Sequence, residues 1–125
     1  MKRTSGFSLI EALVAVSILG IALAAVAPVF ISFAQVNREN QYKTQALAVA
    51  QQTVDGLRQQ KFTEWPASGD TQSVTQSGTS YQRKVLWCVP PVSTYCSDGS
   101  RHLKVEVSKN DKVYYQVETV YTTFE

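Results

Sequence analysis

Few residues in this chain have both the type and the setting to do chemistry, and Glu11 stands out among them. It is the only charge between Phe7 and Ala34. A carboxylate at the centre of a membrane helix costs about 2.5–3.5 kcal/mol, and less towards the helix end. Glu11 lies near the start of the apolar run, and Ser8 and Glu11 have the S-x-x-E spacing of a capping box. Two uses of the carboxylate follow: closing a helix start at the membrane surface, or meeting a positive charge supplied by another chain. Cys88 and Cys96 are the two cysteines, open to a disulfide, two thiols or a metal pair. A metal pair needs more ligands at close spacing, which the lone His102 does not supply; His102 reads as an ordinary strand residue. No nucleophile–base pattern, phosphate-cradling glycine loop or metal cluster is present, so no catalytic residue, metal or cofactor is expected. The acidic residues lie scattered among basic ones and read as solvated faces. The tyrosines read as either a ligand surface or sheet packing.

The elements that must position these residues divide the chain in two. With 125 residues there is room for one domain at most. The 44% of hydrophobic residues and 18% of charged ones exclude disorder by composition. From Ala12 to Ala34 the chain is uncharged and mostly apolar, and as a helix this stretch spans about 34 Å, enough to cross a hydrocarbon core of about 30 Å. A secretory signal has a shorter apolar core, about 7–15 residues, closed by small residues. Here Ala24, Ala25 and Ala27 lie inside a run that continues, so the segment is expected to be retained. Lys2 and Arg3 before it favour a cytoplasmic N-terminus, a signal weakened by Arg38 and Lys43 beyond it. Without residues 1–6, which carry Lys2 and Arg3, ten basic residues face ten acidic ones. That balance gives no general pull towards nucleic acid.

Within the apolar run, Gly20 and Ala24 form a small-xxx-small pair that suits close helix packing, although alanine is also simply common in such helices. Pro28 removes a backbone donor and predicts a kink. From Gln35 the sequence becomes polar. Leu47, Ala50, Val54 and Leu57 step by three, four and three, so residues 37–61 read as an amphipathic extension of the same helix with that stripe facing a soluble domain. Gly56 is a weak point, and Trp65-Pro66 ends the pattern. Residues 67–80, rich in Ser, Thr, Gln and Gly, read as a loop. Strand signals follow at 81–89, at Leu103, Val105 and Val107, and at Val113 to Tyr121, with a turn at Asn110-Asp111. The expected fold is α+β: a long N-terminal helix, membrane-spanning in its first half and amphipathic in its second, packed on an antiparallel meander of three or four strands.

The stretch Lys2-Arg3-Thr4-Ser5-Gly6-Phe7-Ser8-Leu9-Ile10-Glu11-Ala12-Leu13-Val14 resembles the N-terminus of type IV pilins and pseudopilins. That family has a short basic leader ending in Gly, then Phe, Thr or Ser, Leu, an aliphatic residue, Glu and a long apolar helix. The match runs residue by residue over positions 2 to about 34; beyond that the likeness is architectural. Ser8 in place of Thr is a minor variant, and Pro28 falls where pilins often carry a helix-kinking proline.

The resemblance implies that residues 1–6 are a leader, cut by a prepilin peptidase between Gly6 and Phe7, with the new Phe7 amine then methylated. Glycine at the cut puts no side chain in the way of the protease. Residues 7–34 would be the transmembrane and filament-core helix, and 35–125 a periplasmic or extracellular domain, helical to about residue 61 and then a sheet. Glu11 of one subunit would pair with the Phe7 amine of its neighbour and set subunit registry. In that compartment Cys88 and Cys96 are expected to form a disulfide; closing nine residues is worth roughly 2.5 kcal/mol in the chain-entropy model. The partners implied are other pilin or pseudopilin subunits, the prepilin peptidase, an inner-membrane assembly platform and, before assembly, the lipid bilayer; nucleic acid is not indicated. Such a subunit is a single-pass protein of the inner membrane, with its N-terminus in the cytoplasm, and reaches the cell surface when assembled. The expected function is a structural one, as a minor pilin serving adhesion, twitching motility or DNA uptake. The alternative is a minor pseudopilin of type II secretion; the alanine-rich stretch of residues 45–58 resembles that of minor pilins and of the minor pseudopilin I, and its Leu57-Arg58 end leans towards the latter. A single-span anchored domain that never polymerises is a third reading, opposed by the leader.

Overall fold

A computed structural model of the chain describes residues 6–123. A single helix, α1 (Leu9–Arg58), is followed by four strands: β1 (Asp70–Gln76), β2 (Thr79–Trp87), β3 (Ser100–Lys109) and β4 (Lys112–Thr122). The strands form one antiparallel sheet in the order β1-β2-β3-β4. The architecture is the α+β one expected from the pattern, a long N-terminal helix packed on an antiparallel meander.

The chain divides into two compact units, residues up to Glu39 and residues from Asn40 onward. In the first, large apolar side chains are all exposed, from Phe7 just before the helix and Leu9 within it through Ile21 and Phe30 to Val36. This is a helix long and apolar enough to cross a membrane. Pro28 lies inside α1, and the helix runs through it unbroken. An interior proline removes one donor, and the flanking turns hold the helix on either side.

The second unit has its own core. Ala46, Val49, Ala50 and Leu57 from the helix meet Tyr81, Val85, Leu103, Val105 and Val107 from the sheet, with Trp65 between them. The buried stripe differs from the one expected. Ala50 and Leu57 belong to it, but Leu47 and Val54 are only half-buried, and Gln45, Ala46, Val49 and Thr53 take their place. Small and medium-sized residues line the helix side of the contact, and the bulk is supplied from the sheet by Tyr81, which is fully buried. Gln45 is tolerated there because Tyr81 Oη donates to its Oε1 at 2.6 Å; a buried amide without a partner would cost stability. The helix ends at Arg58, short of the expected residue 61. Trp65 Nε1 donates to the Leu57 carbonyl at 3.0 Å, capping one of the acceptors that a helix end leaves open.

One expectation is overturned. Residues 67–80 are not simply a loop, since they contain β1 and the turn into β2. The sequence Asp70–Gln76 has one apolar residue, Val74, and so lacks the alternation that marks a strand. It can afford this as an edge strand, with one side of its ladder on β2 and most of its side chains in solvent. The legible signal was the turn. Ser77 and Gly78 both have positive φ and join Gln76 to its partner Thr79, the two-residue geometry that matches strand twist. Asn110 and Asp111 repeat it between Lys109 and Lys112.

Candidate assembly helix and stapled domain

The N-terminal residues singled out by the sequence sit at one end of α1. Gly6 and Phe7 precede the helix, and Phe7 is 78% exposed. Residues 1–5, expected to belong to a leader, lie outside the described residues. Helix geometry begins with the Ala12 amide donating to the Ser8 carbonyl at 3.1 Å. Glu11 falls in the first turn, where a negative charge complements the helix dipole. Among the described residues neither the Ser8 hydroxyl nor the Glu11 carboxylate makes a side-chain hydrogen bond to the helix start. The capping-box spacing is therefore present but not closed, and the carboxylate stays exposed on a surface that is otherwise apolar.

In the second unit, Cys88 and Cys96 are joined by a disulfide, with their Cα atoms 5.9 Å apart. The loop they close links β2 to β3 and lies against the sheet face away from the helix. Val89, Pro90, Pro91 and Val92 from the loop share a small cavity with Leu86, His102, Lys104 and Glu118 from the sheet. Two hydrogen bonds hold this arrangement: the Cys88 amide donates to the His102 carbonyl at 3.0 Å, and the His102 amide to Cys96 Sγ at 3.3 Å. His102 is more than an ordinary strand residue. It is 6% exposed, and its Nε2 lies 3.5 Å from a Glu118 carboxylate oxygen. Pattern reading missed this because His102 occupies the outer face of β3, which only the stapled loop covers. Lys104 stands between Glu106 at 3.0 Å and Glu118 at 3.7 Å. The hydrogen bond and charge of Glu106, assisted by Glu118, raise the Lys104 ammonium above its usual range.

Most of the tyrosines resolve towards packing, while Tyr95 is exposed. Tyr81 is in the core, and burial pushes its phenol above the ordinary value of 10.0, with the nearby Tyr42 and Tyr114 adding to the effect. Tyr114 packs edge-on to Tyr42, and Tyr121 edge-on to Trp65. The described residues hold no grouping of three or more His, Cys, Asp or Glu side chains suited to a metal ion.

Residues 1–27 match the family model of the prokaryotic N-terminal methylation motif. That motif, with the class III prepilin leader it describes, supports a type IV pilin or pseudopilin. Together with a membrane-capable helix it fits a place in the inner membrane. No curated protein and no solved structure matches the chain significantly.

Proposed function

We propose that this chain is a minor pilin, a structural subunit of a type IV pilus that assembles through its N-terminal helix. The observation that carries the reading is the methylation motif at residues 1–27, continued by a helix whose large apolar side chains are exposed through Val36. A surface of that kind needs either lipid or the helices of other subunits around it. The leader is cut between Gly6 and Phe7 and the Phe7 amine is methylated. Residues 7–34 are the membrane and filament segment, and the rest is a domain on the periplasmic side, where its disulfide persists. The prepilin peptidase and an assembly platform act on the chain before it joins other pilins.

Glu11 is assigned the registry role. Its carboxylate has no partner among the described residues and sits four residues from the new amine. Buried ion pairs add little net stability, but an unpaired buried charge is heavily penalised. Pairing Glu11 with a neighbour's Phe7 amine therefore selects one axial position over others. The test is Glu11→Gln. The variant inserts and is cut like the wild type, yet it stays in the membrane fraction and enters sheared filaments poorly. The missing charge leaves an amine unpaired at a cost of about 3–5 kcal/mol per buried contact. Equal incorporation of variant and wild type would reduce Glu11 to a helix cap, since Gln also closes a capping box.

A minor pseudopilin of type II secretion is the second reading. The alanine-rich stretch of residues 45–58, with its Leu57-Arg58 end, supports it by its resemblance to such a subunit.

A further inference from the structure

Arg83 occupies a position where its strand faces the core. On β2 the inward residues are Tyr81, Arg83, Val85 and Trp87, and Tyr81 and Val85 are buried. A guanidinium in that register is costly unless an anion or a full set of acceptors meets it. Neither is supplied by the domain itself. The group has five N–H hydrogens. Nη1 donates to Thr53 Oγ1 at 3.2 Å, and Nη2 donates to Gln72 Oε1. Nε is buried and has no protein acceptor. Among the described residues no carboxylate comes within ion-pair distance of Arg83. Asp70 is engaged by Gln72 Nε2 at 3.2 Å, and Glu64 stands at the wall of the same cleft.

The cleft lies between the last turns of α1 and strands β1 and β2, with a volume of about 300 Å³. Gln52, Gln60 and Gln72 give it amide walls, and Val85 and Leu57 an apolar floor. Gly56 keeps one side open, for a Cβ there would meet nothing within 4 Å. We propose that this cleft is a carboxylate-binding site in which Arg83 supplies the positive charge and the Gln52 and Gln60 amides supply further donors. The planar fork of a guanidinium matches the two oxygens of a carboxylate, and the volume accommodates that group with a few carbons attached. The carboxylate comes either from an acidic side chain of a neighbouring subunit or from a free organic acid. The first source rests on the assembly reading above; the site itself does not.

The experiment is thermal unfolding of the full chain in detergent micelles at neutral pH, with sodium acetate titrated against sodium chloride at constant ionic strength. Acetate raises the unfolding midpoint by about 5 °C when well above its dissociation constant, and chloride does not. Arg83→Met, which places an apolar side chain of similar length at this core-facing position, loses the response while keeping or raising the starting midpoint. Arg83→Lys, with a point charge and no fork, keeps only a weakened response. Glu64→Gln lowers the acetate concentration needed, by removing a competing carboxylate. No difference between acetate and chloride in the wild type, or an equal response in Arg83→Met, overturns the proposal. So does a Glu64→Gln variant that is destabilised, since Glu64 would then be the internal partner of Arg83. The source is read separately in the reconstituted protein. If acetate and Arg83→Met both weaken chain–chain association, the carboxylate belongs to a neighbour; if association is unmoved while the acetate response persists, the ligand is a free acid.

Discussion

The two units of this chain meet the same physical demand in opposite ways. Residues up to Glu39 expose nearly every large apolar side chain they have, whereas residues from Asn40 onward bury or half-bury most of theirs around Tyr81, Leu103, Val105 and Val107. Apolar burial is worth about 25 cal/mol per Å², so the second unit stabilises itself and the first cannot. The first unit's stability is lent by whatever surrounds it, lipid or other helices. The lesson concerns where information lies. The methylation motif runs into the helix that has no core of its own, and the unit with a core carries the disulfide.

The contrast is broken most sharply by truncating one leucine in each unit. Leu103→Ala, at a fully buried position, should cost the domain about 2–5 kcal/mol in denaturant unfolding. Leu19→Ala, at a position 57% exposed, should leave the same transition within about 0.5 kcal/mol. Similar losses at both sites would mean that the N-terminal half has tertiary partners within its own chain.

A smaller effect is expected at the staple. Cys88→Ser removes the disulfide and should destabilise the second unit by about 2–4 kcal/mol, because a small core has little reserve. It should also loosen the loop over His102, seen as faster exchange of the Cys88 and His102 backbone amides. Quantitative alkylation of both cysteines in wild-type envelope protein, without prior reduction, would rule the staple out.

The smallest effect concerns Tyr81. Its folded-state phenol titrates above 10.0, so the folded state keeps its proton where the unfolded chain has lost it. The associated stability is complete below pH 10 and declines as the pH rises through the folded value. Tyr81→Phe should remove this alkaline loss and cost about 1–3 kcal/mol at neutral pH, since Gln45 loses its donor. Identical alkaline profiles for both proteins would show that another group governs the transition.

The helix, the last three strands and the Asn110-Asp111 turn were legible because their residues repeat with clear periods, as Leu103, Val105 and Val107 do. Strand β1 was not, because an edge strand can be polar on both faces. The helix stripe was misplaced by about a quarter of a turn, since pattern reading weighs Leu47 and Val54 by size, while Ala46, Val49 and Thr53 are the residues buried beside Ala50 and Leu57. Arg83 and His102 were invisible for a related reason. What matters at each is a neighbour far away in the chain: Thr53 and Gln72 for the arginine, Glu118 and the Cys88–Cys96 loop for the histidine. The N-terminal residues were legible for the opposite reason, since Gly6, Phe7 and Glu11 are spaced along one local stretch.

If the chain is made as a precursor and processed for assembly, the intact mass of the protein taken from its native membrane will show it. The expected mass is that of a chain starting at Phe7, lighter than the precursor by residues 1–6 and heavier by one methyl group on the new amine. A chain still carrying residues 1–6, with no methylated form, would contradict it.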